Sequence, residues 1–247
     1  MILAFDVGNT FAKWGFIEGG QVVAGGRVLH RTPGLAAALA PLELDRRPDR
    51  IVAVNVAGPA AVAALAAWAR TRYALPVGEV DARTPHPSLR TEYAEPSRLG
   101  ADRWAAAVGG FITYGACIVA DLGTAATIDA VDAQGTHRGG YIVPGLDAMR
   151  AALAGGTHGV RVEDVEVAPG AWGTATGAAV AAGTRRALAS LIDSTARESR
   201  SAGATVVITG GDAERVAPWV GCHHRIDHEL VLRGAVALAE ASPGAPA

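Results

Sequence analysis

The chain has 247 residues, 50% hydrophobic and 19% charged, enough apolar content to bury a substantial core in one or two domains. A net charge of −2 without any Lys/Arg-rich run argues against a nucleic-acid partner. The two cysteines, Cys117 and Cys222, form neither a disulfide framework nor a CxxC metal pattern; with no signal-peptide core and no uncharged run of roughly 18 residues, a cytoplasmic protein without a membrane span is expected.

In chain order, residues 2–5 read as a buried strand that runs into DVGNT, and AKWGFI and residues 22–24 read as two further strands. The pattern then changes to a helix over 35–42, a strand over 51–56, an Ala-rich helix over 59–73 and a strand over 76–80. Pro96 and Gly100 break the chain before a helix over 101–108.

A second strand, 118–120, runs into DLGTA and repeats the opening: the interval from Asp6 to Gly20 equals that from Asp121 to Gly135. ATIDAV and residues 141–143 complete three strands again. Helices over 146–154 and 173–198, a strand over 206–209, a short strand near 223–226 and a final helix over 229–240 follow. Both halves therefore read βββαβαβα, and residues 241–247 read as a tail.

A strand, an Asp, a tight glycine turn and then hydroxyl or amide side chains are what a phosphate clamp requires. Gly8 and Gly123 admit close backbone approach, Asn9, Thr10 and Thr124 offer donors, and Lys13 adds positive charge. Asp6 and Asp121 supply the oxygen ligands hard cations take, Mg²⁺ at Asp6 among them. A single DxG is as well read as a hairpin turn; two at matched spacing favour the clamp. Neither GxxxxGK[ST] nor a strand-linked GxGxxG occurs. Gly210 and Gly211 in ITGGD suit either an adenosine or a strand-to-helix turn. Asp102, in the first turn of its helix, either complements the helix dipole or accepts a hydroxyl proton. His223 and His224 lack a third metal ligand nearby, and five scattered tryptophans suit packing, with Trp172 and Tyr141 open as pocket residues.

DVGNT with Lys13, GADR at 100–103, DLGTA followed by Asp129, GGYIVPG at 139–145 and ITGGD at 208–212 resemble, in content and order and over nearly the whole chain, the type III pantothenate kinases of the actin-like ATPase superfamily. That resemblance implies an α/β fold of two ribonuclease H-like domains, 1–115 and 116–247, each a mixed five-stranded sheet with helices, and an active-site cleft between them. It implies a homodimer that transfers phosphate from ATP to pantothenate, the first step of coenzyme A biosynthesis. Asp6, Val7, Gly8, Asn9, Thr10, Phe11, Ala12, Lys13 and Thr124 would bind ATP, and Asp121 a monovalent cation, K⁺ or NH₄⁺. Asp102 would be the proton acceptor. Tyr93, Gly100, Ala101, Asp102, Arg103 and Thr176 would line the pantothenate pocket, although Ala175-Thr176 stands where the family carries Asn-Thr or Asp-Thr. The alternatives are an actin-like kinase for another small acceptor and a nucleotide-gated regulatory protein.

Overall fold

The computed structural model describes residues 1–156, 165–198 and 203–242. It divides into two compact units. The first comprises Met1–Thr113, Gln134–His137 and the segment from Glu229 onward; the second comprises Tyr114–Ala133 and Arg138–His228. An undivided second half from residue 116 does not describe this arrangement, because the last helix belongs with the first sheet.

In the first unit, β1 (Ile2–Val7), β2 (Phe11–Glu18), β3 (Gln21–Leu29), β4 (Arg50–Asn55) and β5 (Val77–Glu79) form a sheet of order β3-β2-β1-β4-β5. β1 pairs antiparallel with β2 and parallel with β4. Covered on both faces, β1 carries an unbroken apolar run in which Leu3, Ala4 and Phe5 are all buried. Leu3, Phe5, Ile51 and Ala53 pack towards α1 (Leu35–Leu39) and α2 (Pro59–Tyr73). Pro59 starts α2 without loss of a helical donor, and Ala61, Leu65, Ala69 and Tyr73, four apart, form its buried stripe. On the opposite face lies α7 (Leu230–Ala241), with Leu232 close over Gly15 and the Arg50 guanidinium donating to the Ala239 carbonyl at 3.1 Å.

Three elements differ from their expected lengths for physical reasons. α1 stops at Leu39, just before Pro41, where the 35–42 pattern continued. β3 runs on through Gly25 and Gly26 because a Cβ at Gly26 would strike the Trp14 indole. α3 (Ala101–Tyr114) continues past Val108, and its Gly109 lies against the Leu230 carbonyl while Gly234 lies against that of Ala105, so α3 and α7 touch backbone to backbone.

In the second unit, β7 (Cys117–Leu122), β8 (Ala125–Val131), β9 (Thr136–Pro144), β10 (Thr205–Thr209) and β11 (His224–Ile226) form a sheet of order β11-β10-β7-β8-β9. Within the first unit, a short β6 (Arg90–Thr91) pairs in parallel with Thr136 and His137 at the start of β9, so that this sheet has six strands where five are expected. Ile118, Ala120, Leu122, Ile128 and Ile208 form the core with Leu146 of α4 (Leu146–Gly156) and Leu188 and Ile192 of α5 (Thr176–Glu198). A short α6 (Ala213–Val216) follows β10.

Candidate active site

The first glycine turn joins β1 to β2 between Val7 and Ala12, which are in register. The Gly8 N–H donates to the Phe11 carbonyl at 3.1 Å, and the His30 and Arg31 N–H groups both donate to the Thr10 carbonyl. His30 is 6% exposed, and its Nε2 donates to the Gly8 carbonyl at 2.7 Å. Asn9 is exposed at the turn's tip. Asp6 stands opposite Lys13 across the strand pair.

The second turn joins β7 to β8 between Leu122 and Ala126, with the Gly123 N–H donating to the Ala125 carbonyl at 3.0 Å. Two other glycine motifs converge on it. The Gly145 N–H donates to the Thr124 carbonyl at 3.1 Å, and the Asp212 N–H to the Leu122 carbonyl at 2.9 Å. A Cβ at Gly145 would meet the Gly123 and Thr124 carbonyls, and one at Gly210, which has φ +93°, would meet the Leu122 backbone. Gly145 of GGYIVPG and Gly210 of ITGGD are thus required by the turn itself. Gly140 is likewise needed, since a side chain there would strike the Ile128 carbonyl and then the buried Asp129 carboxylate.

At the Gly8 and Gly123 positions a Cβ would meet only one carbonyl oxygen each, at 3.4 and 3.7 Å. The protein leaves these two sites open, which is the condition for another molecule's close approach.

Asp121 lies at the end of β7, in register with Thr127 on β8 and Thr209 on β10, so both hydroxyl side chains share its face of the sheet. Thr209 is fully buried, and among the described residues its hydroxyl has no hydrogen-bond partner. A buried hydroxyl without a partner costs free energy. A carboxylate between two hydroxyl oxygens, one of them orphaned, is a donor set that fits a cation of the hard, oxygen-preferring class. Nothing in the sequence singled out Thr127 or Thr209, because only strand register sets them beside Asp121. Among the described residues no three His, Cys, Asp or Glu side chains gather to hold a metal. A Mg²⁺ ion commonly needs only one or two carboxylates when substrate phosphates supply the rest, and Asp6 is a carboxylate beside the first turn.

On the acceptor side, Gly100 precedes α3 and Asp102 sits in its first turn. The Asp102 Oδ1 accepts from the Arg103 N–H at 2.8 Å and occupies the place a Gly100 Cβ would need, 2.6 Å away. The N-terminal end of α3 and this N–H both present positive partial charge to the carboxylate. Arg103, 5% exposed, donates from Nη1 to the Tyr93 hydroxyl at 2.8 Å and lies over its ring. Behind Tyr93, the Thr91 hydroxyl accepts from the Tyr93 N–H and bonds His137 Nδ1 at 3.0 Å, and the His137 ring lies 5.8 Å from the Tyr93 ring. Ala101 is buried in the same helical turn.

The structure therefore joins Tyr93, Gly100, Asp102 and Arg103 into one cluster in the first unit. Thr176 opens α5 in the second unit and is exposed. Thr91 and His137, which support that cluster, were not legible because 46 residues separate them. Trp172 is 92% exposed, with nothing in the structure giving it a pocket role. His224 Nδ1 donates to the Cys222 carbonyl on the edge strand. Burial pushes the Cys117 thiol up to about 12 and the Cys222 thiol to about 11, so neither offers a thiolate nucleophile near neutral pH.

Residues 2–198 match the family model for type III pantothenate kinase. Curated relatives of that name include one from Azoarcus sp. (strain BH72), 37% identical with 100% of this chain and 94% of the relative covered. Another, from Nitrosococcus oceani, is 33% identical over 97% and 94%. In fold, the chain is similar to a Baf family protein from Campylobacter jejuni (TM-score 0.65, 21% identity, covering 96% and 97%). It is also similar to the (R)-2-hydroxyglutaryl-CoA dehydratase component A of Acidaminococcus fermentans (TM-score 0.55, 17% identity, covering 98% and 96%). The two-sheet α/β architecture is shared with these solved structures, and the chain belongs to the type III pantothenate kinase family.

Proposed function

We propose that this protein phosphorylates pantothenate at its primary hydroxyl with ATP, giving 4′-phosphopantothenate and ADP, the first step of coenzyme A biosynthesis. The observation that carries the reading beyond family membership is the GADR corner: a carboxylate held in the first turn of α3, beside a buried Arg103 that is oriented by Tyr93. Asp102 accepts the hydroxyl proton and aligns the oxygen. An ordinary Asp, with a solution pKa of about 3.9, is a weak base, so alignment in a loose transition state is the larger part of its work. Arg103 and Tyr93, with Gly100, Ala101 and Thr176, hold the acceptor, whose carboxylate the guanidinium suits.

The segment from Asp6 to Lys13 and Thr124 bind ATP. A kinase of this kind uses ATP with a divalent cation, for which Asp6 is the carboxylate at hand. Asp121, with Thr127 and Thr209 beside it, holds the monovalent cation, K⁺ or NH₄⁺, whose charge offsets that of the phosphates. The protein acts in the cytoplasm as a homodimer, a reading favoured by the exposed Tyr141 and Ile142 of β9 and Leu153 of α4; sedimentation at a single-chain mass would refute the dimer. Among the described residues no helix is long and apolar enough to cross a membrane.

The direct test follows ADP release by purified protein with MgATP and K⁺, with pantothenate present or absent, and identifies the product by mass. Pantothenate-dependent release with a phosphopantothenate product is expected. Nucleotide binding without that product would refute the acceptor assignment.

A further inference from the structure

The His30 side chain is hydrogen-bonded to the carbonyl of a glycine in the first phosphate turn, and the kinase reading gives it no role. It follows directly on β3, 22 residues from Gly8 in sequence, and is nearly buried. A carbonyl oxygen only accepts, so the Nε2 atom carries the proton in this bond, and the 2.7 Å separation is that of a well-formed one.

The consequence follows from the planarity of the peptide group. In a trans peptide the N–H points opposite to the C=O, and among the described residues the only cis bond is Thr32-Pro33. Drawing the Gly8 carbonyl towards His30 therefore turns the Asn9 N–H the other way, out of the turn. Two residues further on, the Thr10 carbonyl is held by the His30 and Arg31 N–H groups. Asn9, at the exposed tip, is in no hydrogen bond with the described residues, so its N–H is available to a ligand. An outward N–H beside an unobstructed glycine is a group that a phosphate oxygen can approach.

We propose that His30 is a positioning residue for the nucleotide: by holding the Gly8 carbonyl it aims the Asn9 N–H at the phosphates of ATP. The inference rests on the reading of this turn as the first ATP-binding segment, but not on the identity of the acceptor. His30→Phe keeps the ring's bulk and removes the donor, whereas His30→Gln keeps an N–H donor of similar reach.

The test measures ADP binding by calorimetry and the KM for ATP and for pantothenate in wild type and both variants, with the Tm of each. The His30→Phe variant is expected to bind ADP roughly 3- to 10-fold more weakly and to raise the KM for ATP in proportion, the ordinary effect of losing one buried hydrogen bond. The KM for pantothenate should stay within about 2-fold, and His30→Gln should recover most of the ADP affinity. Wild-type ADP affinity in His30→Phe overturns the proposal, as does equal loss of affinity and Tm in both variants, which would mark a purely structural role. If wild type binds ADP yet leaves pantothenate unphosphorylated, the acceptor assignment fails and the His30 result still decides; a wild type that does not bind ADP overturns both.

Discussion

The two glycine turns occupy the same place in their respective sheets and are held in opposite ways. The first, Gly8 to Thr10, is gripped by the His30 side chain and the N–H groups that follow β3. The second, Gly123 and Thr124, is gripped by backbone, through Gly145 and the Gly210–Asp212 loop, in contacts too close for a side chain at Gly145 or Gly210. The aspartates before them differ as well. Asp6 faces Lys13 across the strands, while Asp121 stands between Thr127 and Thr209. A repeated unit has kept its backbone path and changed its cross-strand neighbours: in one copy an ammonium group stands opposite the aspartate, in the other two hydroxyls do. The first suits phosphate directly, the second suits a cation that accompanies phosphate.

The largest expected effect tests whether chemistry belongs to the first unit at all. Asp102→Asn should lower kcat by about 10²- to 10⁴-fold with the fold intact, measured by pantothenate-dependent ADP release; near wild-type turnover would remove Asp102 from the mechanism. Next, the two kinds of glycine should separate. Gly145→Ala forces a Cβ into the Gly123 and Thr124 carbonyls and should destabilise by about 1–3 kcal/mol, read in urea unfolding. Gly8→Ala has room for its methyl group, so it should leave stability nearly unchanged and weaken ATP binding. Similar stability losses in both would erase the distinction.

The charge difference can be probed by making the second site resemble the first. Thr209→Val should raise the K⁺ concentration for half-maximal activity about 5-fold, as expected for the loss of one oxygen contact of about 1 kcal/mol. Thr127→Lys, which places an ammonium opposite Asp121 as Lys13 stands opposite Asp6, should weaken the dependence on K⁺. Full K⁺ dependence in both variants would dissociate Asp121 from the cation.

The smallest effect concerns stability outside the site. Burial pushes the Asp193 carboxyl up, but the Cys222 and Gly221 N–H donors and nearby Arg197 outweigh it and hold the group below its ordinary value of 3.8. A lowered folded-state pKa stabilises the fold above the ordinary carboxylate range, and that contribution is lost as pH falls through the folded value. Asp193→Asn should therefore cost under about 1 kcal/mol near neutrality, given its solvent screening, and the gap from wild type should close below about pH 4. A gap that persists at pH 3 would assign the effect to packing.

Sequence reading reached the features that are local. Apolar runs into DVGNT and DLGTA marked β1 and β7, and the spacing of GADR marked the start of α3, because a strand end, a glycine turn and a helix start each have a signature within a few residues. Features fixed by pairing at a distance were not legible. Thr209 acquires its place beside Asp121 from parallel register between β10 and β7, His137 reaches Thr91 through β6, and His30 finds Gly8 only after β3 has folded back. The ITGGD glycines were legible as special, but two readings competed; the structure gives Gly210 a packing reason in the Leu122 backbone.

The position of α7 has a consequence for the order in which the protein is made. The helix covers one face of the first sheet, yet it follows every other described element in the chain. At about 5–20 residues per second on the ribosome, β1 to β5 emerge well before their cover and must wait with Ala4 and Gly15 uncovered on that side. The first unit to be translated is the last to be completed, and a chain interrupted anywhere before Leu230 leaves it with an apolar sheet face open to chaperones and to other nascent chains.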